Sequence, residues 1–467
     1  MLRKKVIGLL AGATLAAVSV APAGAETLAG ALVGAYRTSG LLDQNRAVLR
    51  AADEDLAQAV AALRPVFSWS GDVTRNFGET RNPVTSDWSG EASNSATIGI
   101  LGQMDLYTGG SRLLKLDAAR ESILAARFEL ISVEQEVLLR GVEAFMEVRR
   151  ATETVALRRN NVRVIGEELR AARDRFEVGE VTRTDVAAAE ARLAASRSAL
   201  AAAEGQLAIN REEYKAAIGA YPGALTNPSG LPRLPASVEA AKAQAVRQHP
   251  DILRVQHLVA ALELAIKITE ATMKPTVSLR STYGVTENFG SRAGSRGGTI
   301  SIEAGGPIYR GGELSSLVRQ AMANRDEGRA QLHELVRAVE QGVASSFAQL
   351  RVFQASRDAS GQQVRAARVA FNGIREEATL GARTTLDVLD AEQELLDAQA
   401  ALISAEVDEM IAAYGVLSSV GQLTADALAL NVPRYDPEEY YNLVKSAPTL
   451  SKQGEDLDRV LRALGKK

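Results

Sequence analysis

Apolar residues recur every three or four positions through two long stretches of the chain. In the second stretch, Leu335, Val339 and Val343 follow the spacing of a coiled-coil seam. The stretches begin after Gly110 and Gly312, and each continues without proline for about 70 residues. A helix of that length would measure on the order of 100 Å, because each residue adds about 1.5 Å. The sequence therefore predicts two very long helices.

Four shorter segments alternate apolar and polar residues, which is the pattern of β-strands. They lie at 66–74, 97–102, 275–285 and 299–302. The two intervening segments, 76–94 and 286–298, are rich in Gly and Ser, and this composition predicts loops. Each pair of strands is therefore expected to form a hairpin.

The order of these elements occurs twice. The turn Tyr107-Thr108-Gly109-Gly110 recurs as Tyr309-Arg310-Gly311-Gly312, about 200 positions later. A glycine follows each long helix at the same offset, and an Asp-Val pair comes six residues after it. The glycines predicted to form structural turns are Gly109, Gly110, Gly179, Gly311, Gly312 and Gly381. Of these, the two that follow the long helices are expected to end them in the left-handed conformation.

The repeat and the chain ends predict five regions. A basic start, an apolar run and the sequence Ala23-Gly24-Ala25 are typical of a secretory signal peptide. The regions are a signal peptide at 1–25, a first structural repeat at 26–220, a linker at 221–237, a second repeat at 238–430 and a C-terminal segment at 431–467.

Composition excludes several classes of site. The chain has no cysteine, which rules out disulfides and cysteine-ligated metals. It has three histidines, and no pair of them has the spacing of a zinc helix. No nucleophile elbow, P-loop or EF-hand motif is present, so we expect neither an enzyme nor a bound cofactor or metal. The formal net charge of −3 gives no indication of nucleic-acid binding.

The four strands constrain how the chain could meet a membrane. Beyond residue 25, no apolar run approaches the roughly 18 residues of a transmembrane helix. Strands of about ten residues can cross a bilayer, but about eight strands are needed to close a barrel. Four strands would leave unpaired backbone groups in lipid, so a barrel requires several copies of the chain. The long helices are too polar for lipid and must project into water.

At these residues the chain resembles the TolC family of outer-membrane efflux and secretion ducts. The resemblance rests on the duplication, the Tyr-x-Gly-Gly turns and two signatures, FEVGEVTRTDVAAAEARL from Phe176 and LGARTTLDVLDAEQELL from Leu380. The tail from Val432 to Pro437 is similar to that of members serving type I secretion. The resemblance implies a mixed α/β membrane protein that forms a homotrimer. Its twelve-stranded transmembrane β-barrel, with four strands from each chain, would be continued by a long α-helical coiled-coil barrel.

The resemblance also implies location and partners. The trimer would lie among the lipids of the cell outer membrane and extend into the periplasm. It would be the exit duct of a tripartite efflux or type I secretion system. A periplasmic adaptor, or membrane fusion protein, and an inner-membrane transporter of the ABC or RND type would complete that system. The duct would open by an iris-like movement of its periplasmic helices.

The family pattern implies a gate at the periplasmic tip. Carried over by motif, Arg383 would bond Thr184 and Asp185 on the helical hairpin of a neighbouring copy. A second family contact joins an amide to a carboxylate, and the matching positions here are Glu168 and Arg375. At those positions a salt bridge is expected instead.

Two further carboxylates, Asp387 and Asp390, match the acidic ring that surrounds the constriction in this family and favours cations there. A local interpretation competes with the gate and the ring. Thr182-x-x-Asp185 and Thr384-x-x-Asp387 each have the pattern of a helix capping box. Capping and gating are compatible roles for Asp185. Asp390 lies beyond the first turn of its helix, so capping explains little about that residue.

The long helices would also suit a second function. A non-conducting coiled-coil structural protein or adhesin that spans the periplasm would also need long helices. It would need neither the four strands nor an acidic ring. Recording single channels in a planar bilayer distinguishes these two functions.

Overall fold

A computed structural model describes residues 26–228, 230–290, 293–450 and 452–463. The predicted signal peptide, 1–25, lies outside the described residues. None of the helices in the described ranges combines the length and the apolar character needed to cross a membrane.

The elements follow the same order in both halves of the chain. The first six are α1 (Leu28–Thr38), α2 (Gly40–Ala61), β1 (Val66–Arg81), β2 (Trp88–Tyr107), α3 (Ser111–Glu177) and α4 (Arg183–Ile218). The next six are α5 (Val238–Gln248), α6 (Pro250–Ala271), β3 (Thr276–Phe289), β4 (Gly294–Gly305), α7 (Glu313–Thr379) and α8 (Thr385–Val420). Two short helices, α9 (Pro437–Val444) and α10 (Lys452–Ala463), follow.

Corresponding helices of the two halves have equal lengths. α3 and α7 each contain 67 residues, and α4 and α8 each contain 36. The prediction of two very long, uninterrupted helices is therefore confirmed.

Contacts between residues divide the chain into two compact units, and both halves of the sequence contribute to each. The sheet unit comprises Tyr36–Arg140, Pro232–Gly361 and the described part of Asp408–Lys467. The hairpin unit comprises the described part of Met1–Ala35, Gly141–Leu231 and Gln362–Val407. The duplication thus does not produce one compact unit per copy.

The sheet unit contains four antiparallel strands in the order β1-β2-β3-β4. β2 of the first half pairs with β3 of the second half, for example at Ile98 and Val285. The side chains of Thr97 and Thr286 add a hydrogen bond of 3.1 Å across that pair. β1 and β4 are the two edge strands.

The predicted hairpin loops were too long. Backbone pairing of β1 with β2 continues from Arg75 and Asn94 to Arg81 and Trp88, through most of the segment 76–94. β4 likewise begins at Gly294, inside the predicted loop 286–298. Polar and glycine-rich residues can occupy these strands because ladder hydrogen bonds are made by backbone groups, whatever the side chain.

The coiled-coil seam of α7 is part of a buried cluster in the sheet unit. Val339 and Val343 are buried there, and Leu335 packs against the cluster. The same cluster contains Ile252 of α6 and Val416 of α8. The apolar positions that predicted the helix therefore also hold it against its neighbours.

The C-terminal segment packs against α2 through charged and aromatic side chains. The Arg64 guanidinium donates to the carbonyl of Ala447 at 2.6 Å, just beyond α9. The Tyr440 hydroxyl donates to Glu54. Arg127 of α3 forms a salt bridge of 3.3 Å with Glu438. These contacts tie α9 to two helices of the sheet unit.

A carboxylate is buried among these contacts. Asp53 of α2 is fully inaccessible to solvent, and within the described residues neither of its carboxylate oxygens has a hydrogen-bond partner. Burial raises the pKa of Asp53 from 3.8 to about 6, although the nearby Arg127 opposes the shift. The ionised carboxylate therefore destabilises the folded chain at neutral pH.

We predict that Asp53→Asn stabilises the protein at pH 7.5, by about 1–3 kcal/mol. The folded pKa lies above the unfolded value, so the cost of the native carboxylate develops as pH rises from about 4 to 6. The gain from the substitution should therefore vanish near pH 4. Thermal unfolding of the purified protein at both pH values measures it. Asp55→Asn, at an exposed position one residue beyond Glu54, is the control and should change little. An equal gain at both pH values would contradict the argument.

Candidate functional site

The candidate site lies in the hairpin unit, where the helix pairs α3–α4 and α7–α8 reverse direction. α3 ends at Glu177 and α7 ends at Thr379. Gly179 then has a φ of +80° and Gly381 a φ of +77°, a left-handed conformation that costs glycine little. The backbone N–H of Glu180 donates to the carbonyl of Arg175 at 2.9 Å, which closes the end of α3.

The helices below each tip are held together by small and branched apolar residues. Ile165 and Leu169 of α3 cluster with Ala189 of α4 and Leu389 of α8. A second cluster joins α7 and α8 and includes Phe371, Val388, Leu395 and Ala398. These clusters fix the helices from which the polar residues of the tips project.

Both tips begin their second helix with the same cap. Thr182 accepts from the backbone N–H of Asp185 at 3.3 Å, and Asp185 Oδ2 accepts from the N–H of Thr182 at 2.9 Å. Thr384 and Asp387 repeat these two bonds at 3.2 and 2.9 Å. The capping interpretation of the two Thr-x-x-Asp motifs is therefore correct for the local structure.

The caps also fix the charge of the two aspartates. Hydrogen bonds from the Thr182 hydroxyl and N–H lower the pKa of Asp185. Those from the Thr384 N–H and hydroxyl, with help from Arg383, lower the pKa of Asp387. Both caps use Oδ2, and within the described residues Oδ1 of neither aspartate accepts a hydrogen bond. Each carboxylate is thus ionised and keeps one oxygen for another donor.

Arg383 contacts its own chain at the second tip. Its Nε lies 2.8 Å from Glu377 Oε2, and both side chains are about half exposed. In the described chain it makes no hydrogen bond or ion pair with Thr184 or Asp185. Glu377 is a partner that the sequence did not suggest.

The predicted contact between Glu168 and Arg375 is present within one chain. Arg375 Nε lies 3.5 Å from Glu168 Oε1 and joins α7 to α3. Glu168 is mostly buried, whereas Arg375 is half exposed. This pair therefore connects α3 and α7 close to the tips.

Asp390 of α8 also has a partner that the sequence did not suggest. Its Oδ1 lies 2.6 Å from an Nη of Arg192 on α4. Asp390 remains 61% exposed, so it can still interact with ions in solution. The sequence brought Asp387 and Asp390 together as one acidic pair, but the structure gives them different partners.

A buried polar contact lies between the same helices. Asn161 of α3 donates to Glu392 of α8 at 3.3 Å, and both side chains are buried. Burial raises the pKa of Glu392, while the bond from Asn161 opposes the rise. Glu392 stands four residues after Val388 and three before Leu395, which are seam positions, so helical spacing alone could have identified it.

The two tips together border an open cleft of about 690 Å³. Its lining includes Thr182, Asp185, Arg383 and Asp387. Among the described residues, no group of three or more His, Asp or Glu side chains has the arrangement of a metal site. The site therefore offers ion pairs and hydrogen-bond donors and acceptors.

The chain is similar to outer-membrane efflux proteins along most of its length. The family model described as outer membrane efflux protein matches residues 37–220 and 242–422. The outer membrane efflux protein BepC of Brucella suis is 36% identical over 422 residues, 90% of this chain and 91% of BepC. The outer membrane protein TolC of Vibrio cholerae is 26% identical over 443 residues, 90% of this chain and 96% of TolC.

A solved structure shows the same fold. The outer-membrane channel OprN is similar with a TM-score of 0.72 and 23% identity, over 85% of this chain and 90% of OprN. This similarity confirms the predicted fold class.

We predict that Thr182→Ala weakens the start of α4 by about 1 kcal/mol, because the cap loses its acceptor for the Asp185 N–H. Hydrogen–deuterium exchange of the first amides of α4 should become faster. Thr184→Ala is the matched control, since the Thr184 hydroxyl takes no part in the cap. Equal exchange in the two variants would show that the capping box does not hold the tip.

Proposed function

The chain belongs to the outer membrane efflux protein family, and we propose that three copies form the outer-membrane exit duct of a tripartite efflux or type I secretion system. The protein is an outer-membrane channel of the efflux and secretion type, and its channel extends into the periplasm. The trimer, its gate and its partners are the proposed part. No catalytic step is assigned to the chain.

The four-stranded sheet is the observation that supports oligomerisation most directly. Within the residues that the structure describes, β1 and β4 each have one unpaired edge. Pairing β4 of one copy with β1 of the next removes both edges and closes a barrel of twelve strands when three copies combine. This requirement supports an oligomer in the outer-membrane lipid, and we assign that oligomer as a homotrimer.

The proposed gate uses donors and acceptors that the single chain leaves available. Arg383 gives only its Nε to Glu377, so both Nη groups can donate to a neighbouring copy. Asp185 keeps Oδ1 free beside the cap, and the Thr184 hydroxyl makes no hydrogen bond in the described chain. We assign the closed state to bonds from Arg383 to Thr184 and Asp185 of the neighbouring hairpin. The Glu168–Arg375 bridge would support it from within each chain.

The acidic ring of the constriction is assigned to Asp387 and Asp390. The cap keeps Asp387 ionised, which suits a ring that attracts cations. Arg192 partly neutralises Asp390. Asp387 should therefore contribute more to cation binding than its neighbour one turn later.

The tips also present apolar side chains to solvent. Val178 is 71% exposed and Leu380 is 85% exposed, each next to a turn glycine. Exposed apolar residues at the end of a polar hairpin are suited to a protein partner. We assign the contact with the periplasmic adaptor to 178–183 and 380–384, and the inner-membrane transporter of the ABC or RND type to the far side of that adaptor.

We predict opposite effects of two substitutions on conductance. Arg383→Ala removes the proposed bonds to Thr184 and Asp185 of the neighbouring hairpin, so the purified trimer in a planar bilayer should open more often. Glu377→Gln frees Arg383 from its own chain, so the guanidinium becomes fully available to the neighbouring hairpin and the channel should open less often. The same direction of change in both variants would rule out competition between the two partners.

That recording also tests the duct itself. If the trimer never conducts, even with Arg383→Ala, the chain is not a duct. The non-conducting coiled-coil structural protein or adhesin then becomes the better explanation.

We predict that a divalent or trivalent cation added on the periplasmic side reduces conductance, because the acidic ring binds it. Asp387→Ala should abolish most of the reduction. Arg192→Ala should increase it, since Asp390 then loses its compensating charge. Insensitivity of all three proteins to the cation would eliminate the ring.

A further inference from the structure

The pairing register of the sheet sorts its side chains into two faces. Phe67, Trp69 and Val73 of β1 alternate with serines and Asp72, and they share a face with Ile98 and Ile100 of β2. Through the β2–β3 and β3–β4 pairings, this face continues to Tyr283, Ile300 and Ile302. In an outer-membrane channel the apolar face of such a sheet contacts lipid.

The apolar face ends at a definite position along the strands. On β2, the stretch from Tyr107 back to Ala96 is about as long as the roughly 9–11 residues of a membrane-spanning strand. Beyond it, charged side chains appear on the same face. Arg75 of β1 pairs with Asn94, one step past Val73 and Ala96. Arg296 of β4 follows Ile302 and Ile300 on the same face of its own strand, and through Val285 it is level with Ile98, one same-face step before Ala96.

These arginines lie on the side of the sheet away from the helices. The helices join the strands at the other end, where α2 precedes Val66 and α3 follows Tyr107. Since the helices extend into the periplasm, Arg75 and Arg296 lie on the cell-surface side of the membrane. They face the headgroups of the outer leaflet.

Both guanidinium groups are available. Arg75 and Arg296 are exposed, and neither makes a hydrogen bond or an ion pair within the part of the chain that is described. Arg81, further along the same face of β1, instead donates its Nε to the carbonyl of Ser86 at 3.1 Å. The first two arginines therefore keep the planar set of donors that binds a phosphate group in a bidentate manner.

Aromatic and acidic side chains surround the arginines. Phe77 is 80% exposed on the same face as Arg75, and Phe289 lies opposite Asn94 and is 56% exposed. Aromatic residues are enriched at such membrane boundaries. Glu287 and Glu79 also lie on this face, so the three arginines oppose two carboxylates. Among the described residues, the patch thus carries one net positive charge in each copy.

We propose that Arg75 and Arg296 form a site for the phosphate groups of an outer-leaflet lipid, completed at each seam between two copies. The inference rests on the proposed trimer. Arg75 and Arg296 belong to opposite edge strands, and closing the barrel places β4 of one copy beside β1 of the next. One copy thus supplies Arg296 and its neighbour supplies Arg75.

The occupant follows from the position of the charges. The arginines stand directly past an apolar surface, so a ligand that combines a phosphate with acyl chains uses both features. A free phosphate would use only the guanidinium groups. The basic patch complements the anionic headgroup, and the apolar face below it contacts the chains.

The test measures lipid retained by the full-length trimer in detergent, using native mass spectrometry and diphosphorylated lipid A as the probe. The wild-type trimer should retain lipid A, whereas phosphatidylcholine should be lost. Arg75→Ala combined with Arg296→Ala should lower retention by about tenfold or more, because charge-assisted hydrogen bonds are lost. Equal retention by this double variant would overturn the site.

Arg280→Ala is the matched control. Arg280 is exposed on the same sheet but on the opposite face, where it pairs with Gln103. Its loss should leave retention unchanged, and an equal decrease would show non-specific attraction. Excess inorganic phosphate should not displace the lipid, and efficient displacement would indicate a free-anion site instead.

Glu287→Gln tests the site independently of the arginine variants. Its carboxylate lies close to Gly294, two residues before Arg296, so its removal should increase retention. If the double arginine variant does not assemble, unchanged or lower retention with Glu287→Gln overturns the proposal. Single-channel conductance of the double arginine variant and of Glu287→Gln should match the wild type, because these side chains lie on the lipid-facing side of the sheet. A trimer that conducts without retaining lipid A refutes the lipid site and leaves the duct intact.

Discussion

A strand in a membrane must pair every backbone N–H and C=O group, because lipid offers them no partner. Each chain carries a sheet with two open edges, β1 and β4, and cannot meet this requirement alone. The other large features depend on how the edges are closed. In the proposed trimer, further copies close these edges, and the proposed gate gives Arg383 its partners on a neighbouring copy. The proposed assembly and the proposed gate therefore both depend on the same unpaired backbone groups.

Much of this architecture could be predicted from residue spacing. The seam through Val339 and Val343 and the absence of proline were enough to identify the 67-residue helices. The strand ends were predicted poorly, since 76–94 is polar and glycine-rich. Its strand structure comes from backbone pairing with a neighbouring strand, and a pattern of side chains does not record that pairing.

The candidate site was predictable in its residues but less so in its contacts. The motifs identified both Thr-x-x-Asp caps because a cap is local and needs a spacing of only three residues. Glu377 and Arg192 were missed as partners because long side chains choose among several neighbours on a helix surface. The pairing of Glu168 with Arg375 came from resemblance to a family, and sequence spacing could not have supplied it.

The two tips share one cap but differ in the residues around it. Arg383 stands where the first copy has Val181, and Asp390 stands where it has Ala188. Because the cap and the turn glycine build the tip in both copies, the surrounding positions are released from a folding role. In the proposed gate, gene duplication therefore gives this chain positions at which one substitution changes how readily the duct opens while the cap and the turn glycine stay intact.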